Sequence, residues 1–199
     1  MRADCISALG SWIEAYPSYF LQDEFLKYIG WLLFDKETSV RLASLNTIQR
    51  LYDPKLGIDF FAQLITFTQR FKPRILEMTR DVSIEVSTKV IQVLTLLGGW
   101  SSLEQEEAKL VCDSICDDNA SVRLQTAKFV NQFVVNSVTV TPKKTGEEQE
   151  KAAAQLKALL NFIENSPIPD LPNYVIDSLW MENSPVLRVN QIYNISIFF

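Results

Sequence analysis

The chain has 199 residues, of which 47% are hydrophobic and 22% charged, enough for one or two domains with a sizeable core. It contains no histidine, which removes Ser-His-Asp and Cys-His catalysis and histidine-ligated zinc from consideration. A net charge of −5 and a pI near 4.9 argue against a body coated in positive charge for nucleic acid, while leaving room for a local basic strip.

In chain order, proline and glycine separate a series of helix-period segments. The first covers about 2–16, with Ile6, Leu9, Ile13 and Tyr16 at helical spacing, and stops at Pro17. The second covers about 23–34. The third covers about 39–52, with Val40, Leu42, Leu45, Ile48 and Leu51 apolar, and ends before Pro54. Further helices are expected over about 58–70, 73–79, 84–97, 103–115 and 120–135, with Gly98-Gly99 as a helix stop. Ser102 and Gln105 have the spacing of a capping box. Strand signal is slight; the β-branched stretch 134–141 leads into polar sequence and has no partner strand.

The segments repeat. Asp35 precedes Val40-Arg41, Asp81 precedes Val86, and Asp118 precedes Val122-Arg123, each at a junction between two helical segments. The valines are 46 and then 36 residues apart, close to the period of two-helix HEAT-type repeats. The aspartate caps backbone donors at the turn, the valine enters the core, and the arginine can reach a neighbouring repeat's carboxylate. The expected fold is therefore all-α, a HEAT-type helical repeat solenoid, a design that exposes long surfaces for binding. Its expected division is HEAT-like repeats over 1–137, a flexible polar loop over 138–150, a further helical repeat over 151–182, and a tail over 183–199.

Chemistry-bearing motifs are scarce. There is no Gly-rich phosphate loop. Cys112 and Cys116 lie at i, i+4, but two thiols without a third soft ligand make a poor metal site, so both read as small, partly buried residues. No metal or other cofactor is expected, and no enzyme activity. No apolar run approaches the ~20 residues that span a bilayer. The start shows no secretory h-region, so an intracellular, reducing compartment is expected. It already lies inside an amphipathic pattern, which suggests a fragment of a longer protein.

Two constellations are candidates for binding. In segment 23–34, Phe25, Ile29, Leu32 and Leu33 form a stripe for the core, while Glu24, Lys27, Tyr28 and Trp31 fall on the opposite side. An outward Trp31 either packs under a neighbouring repeat or serves as an aromatic anchor for a partner. The second constellation is Arg70-Phe71-Lys72-Pro73-Arg74. Phe60, Leu64, Phe67 and Phe71 follow helical spacing, which makes Phe71 a core residue by pattern; its three cationic neighbours suit an aromatic and acidic peptide, or phosphates.

The run Asp23-Glu24-Phe25-Leu26-Lys27-Tyr28-Ile29-Gly30-Trp31, continued by Leu32 to Lys36, resembles the stromalin conservative domain of the SA-type subunits of cohesin. Arg2 to Ile6, Gly10-Ser11-Trp12, and Phe67 to Arg74 fit the same pattern; Phe162-Ile163-Glu164 and Tyr174 to Trp180 resemble a later stretch. The polar stretch 139–150 and the segment 189–199 depart from it. The resemblance implies a nuclear, chromosome-associated scaffold that binds the kleisin, and the SMC ring through it, in support of sister chromatid cohesion. It also implies a pocket for short aromatic motifs of shugoshin-, Wapl- or CTCF-type regulators. The pocket positions would be Trp31 and Phe71, with Asp23, Lys27 and Arg70 as polar rim, and Lys72 and Arg74 as auxiliary DNA contacts. The alternatives are a generic HEAT-repeat adaptor and an auxiliary DNA-binding scaffold.

Overall fold

The computed structural model describes residues 1–53, 61–99 and 103–137, with isolated positions 153, 154, 157, 158, 160, 161, 164 and 173. The chain divides into two units, Met1–Val111 and Cys112–Phe199. The described residues of both are helical, without a strand. None of these helices is long and apolar enough to cross a membrane.

The first unit holds α1 (Arg2–Ala15), α2 (Pro17–Phe20), α3 (Asp23–Trp31), α4 (Thr38–Leu51), α5 (Phe61–Glu77), α6 (Ile84–Gly99) and most of α7 (Gln105–Cys112). Within it α1 packs on α4 and α4 on α6, forming one layer; α3 packs on α5 in a second layer, and the pairs α3–α4 and α5–α6 join the two. Ile13, Leu26, Ile29, Leu33, Leu45, Ile48, Ile75 and Val90 are buried between them. Each such side chain contributes roughly 1.5–3 kcal/mol of burial free energy. The second unit begins with the end of α7 and continues into α8 (Ala120–Ser137).

Three connections share one construction, which is the physical content of the repeat. Helices α3, α5 and α7 each tighten into a 3-10 turn, Leu32–Phe34, Met78–Arg80 and Asp113–Cys116. An aspartate in extended backbone follows, and its carboxylate accepts the N–H two residues on: Asp35 from Glu37 at 2.9 Å, Asp81 from Ser83 at 2.9 Å, Asp117 from Asn119 at 2.7 Å. The turn aspartate of the third connection is thus Asp117, not Asp118. Only Asp117 stands five residues before a buried valine, as Asp35 and Asp81 do before Val40 and Val86.

The residue after each valine closes the turn. Arg41 Nη1 donates to the carbonyls of Asp35 and Lys36, and Arg123 Nη1 to those of Asp117 and Asp118. Ser87 holds the equivalent place and donates its hydroxyl to the Asp81 carbonyl. Carbonyls orphaned at the end of one helix are thereby satisfied from the start of the next. Arg41 also reaches the neighbouring connection, with Nη2 2.8 Å from Asp81 Oδ1 and both side chains 7% exposed. Arg2 makes the analogous, more exposed contact with Asp35 at 2.9 Å.

Pattern and structure differ at several boundaries. Helix α5 runs without a break through Pro73, where the sequence suggested two segments. Proline deletes one donor, to the carbonyl of Gln69; Gln69 and Pro73 are both exposed, so the break in the ladder falls on the solvent side of the helix. Pro17 begins α2, where its missing N–H costs nothing. Helix α6 ends at Gly99 as the paired glycines suggest. Ser102 lies outside the described residues; α7 is capped instead by Glu107, whose carboxylate accepts the Glu104 N–H at 2.9 Å. The polar loop and the tail also lie outside them, and of the later helical stretch only isolated helical positions are described.

Candidate functional site

Helix α3 is only 9 residues long, so each side of it is occupied by two or three side chains. Leu26, Ile29, Gly30 and then Leu33 are buried, while Phe25 and Leu32, expected in the core stripe, are half-buried. That inner side leaves Tyr28, Trp31 and Phe34 facing outward, 47%, 50% and 61% exposed. The Tyr28 and Trp31 rings meet edge to face at 5.6 Å. The Lys27 ammonium lies over both, 5.2 Å from the Tyr28 centroid and 5.8 Å from that of Trp31. Asp23 is exposed in the first turn, where a carboxylate complements the helix dipole.

Phe71 approaches from α5. It is 5% exposed and packs against Phe67 at 5.0 Å, as its place in the helical stripe predicts. Its ring lies flat on Gly30; a Cβ there would stand 2.2 Å from Phe71 Cζ. Only glycine allows this approach, and Gly30 is the residue before Trp31. Phe71 is therefore buried against the backbone of α3 at Gly30, while Trp31 is half exposed. Arg70 is exposed and places its guanidinium 5.4 Å from the Phe71 centroid, so the buried ring has a cationic edge toward solvent.

The two cations named as DNA contacts are engaged within the fold. Lys72 pairs with Glu107 at 2.7 Å, tying α5 to the start of α7. Arg74 stacks over Phe34 at 4.8 Å, donates to the Leu33 carbonyl at 3.3 and 3.4 Å, and meets Glu77 at 3.2 Å. Sequence reasoning placed Tyr28 outward without naming it as a site residue, and did not single out Phe34. The signal for both was the i, i+3 spacing of Tyr28, Trp31 and Phe34.

The thiols are unequal. Cys112 is buried and Cys116 exposed. Burial, with the Asp113 charge adding to it, pushes the Cys112 thiol up to about 12.

Residues 1–72 match the stromalin conservative domain. That span includes Asp23, Lys27, Trp31, Arg70, Phe71 and Lys72. Among curated proteins, the chain is 30% identical over 195 residues to cohesin subunit SA-1 of Xenopus laevis, covering 94% of this chain and 15% of that protein. It is 33% identical over 188 residues to sister-chromatid cohesion protein 3 of Arabidopsis thaliana, covering 90% and 16%. With cohesin subunit psc3 of Schizosaccharomyces pombe it shares 34% identity over 149 residues, 74% of this chain and 15% of the other. Among solved structures, cohesin subunit Scc3 from Z. rouxii superposes with a TM-score of 0.67 at 24% identity, covering 90% of this chain and 24% of that one. The chain thus spans about one-sixth of the length of the curated relatives it matches.

Proposed function

We propose that this chain, which carries the stromalin conservative domain in residues 1–72 and is a relative of the cohesin SA/Scc3 subunits, works as a non-enzymatic scaffold segment of cohesin. In this reading it binds the kleisin and grips short aromatic motifs of shugoshin-, Wapl- or CTCF-type regulators, on chromosomes in the nucleus. The observation that carries the motif-binding part is the outward pair Tyr28–Trp31 under Lys27, on a helix whose Gly30 is packed against the Phe71 ring. A half-exposed tryptophan on a rigid backing has the character of a binding hot spot: large contact area, little conformational freedom to lose, and cations at its rim. Lys27 and Arg70 supply the cations and favour a motif that pairs an aromatic residue with a carboxylate. The domain match favours the cohesin scaffold over a generic HEAT adaptor.

The test is titration of a fluorescent aromatic-motif peptide into the chain together with a kleisin fragment. Trp31→Ala is expected to lose ~2 kcal/mol or more of binding free energy, roughly 30-fold in affinity, with an unchanged helical circular dichroism spectrum. Unaltered affinity in a folded Trp31→Ala protein would remove the proposed pocket.

A further inference from the structure

Helix α3 has 9 residues, too few for its last turn to stand on its own hydrogen bonds, and that turn holds no basic residue to complement its negative end. Its carbonyls pass into the 3-10 turn Leu32–Phe34, and Trp31 stands at the join. What the helix lacks there is supplied from α5. We infer, resting on the reading of Trp31 as a peptide anchor, that Arg74 is a positioning residue for it. In that role Arg74 caps the end of α3 from the neighbouring helix, in place of a contact to nucleic acid.

The geometry is that of a cap made across two helices. Nε and Nη2 of Arg74 donate to one acceptor, the Leu33 carbonyl, at 3.4 and 3.3 Å. Leu33 is buried, where an unpaired carbonyl would be costly. A cation at this point also meets the negative end of the α3 dipole. Nη1 meets Glu77 at 3.2 Å, and the guanidinium lies 4.8 Å over the Phe34 ring. All three nitrogens thus have an acceptor within the fold and the plane covers a ring, which leaves little of the fork for a phosphate.

Trp31 lies between two contacts from α5. Phe71 presses on Gly30, immediately before it, and Arg74 holds Leu33 and Phe34 just after it. Phe71 and Arg74 are one turn apart on α5, as Gly30 and Leu33 are along α3 and its 3-10 extension, and both contacts join residues 41 positions apart. The backbone that carries the Trp31 ring is therefore fixed on either side by one partner helix. The ring itself is 50% exposed and touches Tyr28 and Lys27 of its own helix. Holding an exposed ring in place before a partner arrives removes part of the ordering cost of binding. Arg74 acts on that cost through the backbone, without touching the partner.

The experiment reads the Trp31 indole N–H by nitrogen–proton NMR of the 199-residue chain, assigned by its loss in Trp31→Ala, beside titration of the aromatic-motif peptide with the kleisin fragment. In Arg74→Met, folded by circular dichroism, the indole resonance should shift and its heteronuclear NOE fall. Peptide affinity should drop about five- to ten-fold in the same variant. Arg74→Lys keeps the charge but not the planar fork, and should recover only part of both effects. Lys89→Met removes a different tie, the hydrogen bond from α6 to Gln49 on α4, and should move neither readout. An unmoved indole in Arg74→Met, with or without a loss of duplex DNA binding, would overturn the positioning role, and so would full recovery in Arg74→Lys. A parent chain that binds no peptide would remove the anchor reading alone, and the indole resonance would still decide whether Arg74 positions Trp31.

Discussion

The outer edge of α3 and the seam between α3 and α5 are separated by a single residue, Gly30, yet they obey different constraints. On the edge, Tyr28, Trp31 and Phe34 are half-exposed and touch cations; in the seam, Phe67 and Phe71 are buried and Phe71 presses on the bare Cα of Gly30. Composition is similar on both sides, and burial divides their work. The seam fixes where the edge stands, and the edge keeps surface for another molecule. Trp31 offers an exposed ring, and Phe71 a buried one.

Substitutions can test that division. Phe71→Ala should act as a core truncation and cost ~3–5 kcal/mol in urea unfolding, because the ring's space between Gly30 and Phe67 cannot collapse fully. If instead it costs little, Phe71 belongs to the edge.

Alkaline pH probes the floor of the same core. Tyr52 is buried with its hydroxyl against Thr68, and burial pushes its pKa up to about 12 from 10.0, the Thr68 hydrogen bond opposing. The folded protein then holds this proton more tightly than the unfolded chain. Its contribution is complete below about pH 10 and is lost as the pH rises toward 12, a fall of roughly 2–3 kcal/mol. Urea midpoints across that window should fall in the parent protein, and by less in Tyr52→Phe.

Gly30→Ala is expected to cost ~1–3 kcal/mol through overpacking on the Phe71 ring, and a smaller residue at 71 should recover part of it. Trp31→Ala should change folding stability least, by under about 1 kcal/mol, since it removes an exposed ring and its contacts with Tyr28 and Lys27. The same change is expected to be the largest in peptide binding. A stability loss for Trp31 as great as that for Phe71 would erase the distinction between edge and seam.

Much of this was legible along the chain. The 3.6-residue stripe placed Ile29 and Phe71 inside and Trp31 outside, and backbone sterics at Pro17 and Gly98-Gly99 marked helix limits. Pro73 misled, because the helix continues through a proline that lies on its exposed side. The choice between Asp117 and Asp118 was ambiguous by pattern. The hydrogen bond that the Asn119 N–H donates to the Asp117 carboxylate resolves it.

By itself, the sequence determined the all-helical class, the repeated turn aspartates and the side of α3 on which Trp31 stands. These follow from local periodicity and from turn chemistry, which act over a few residues. Tertiary structure alone decided that Phe71 would sit on Gly30, that Arg41 would reach Asp81, and that Lys72 and Arg74 would hold Glu107 and the Leu33 carbonyl. Each of those contacts joins residues 35 to 41 positions apart, so its existence depends on how neighbouring helical pairs stack.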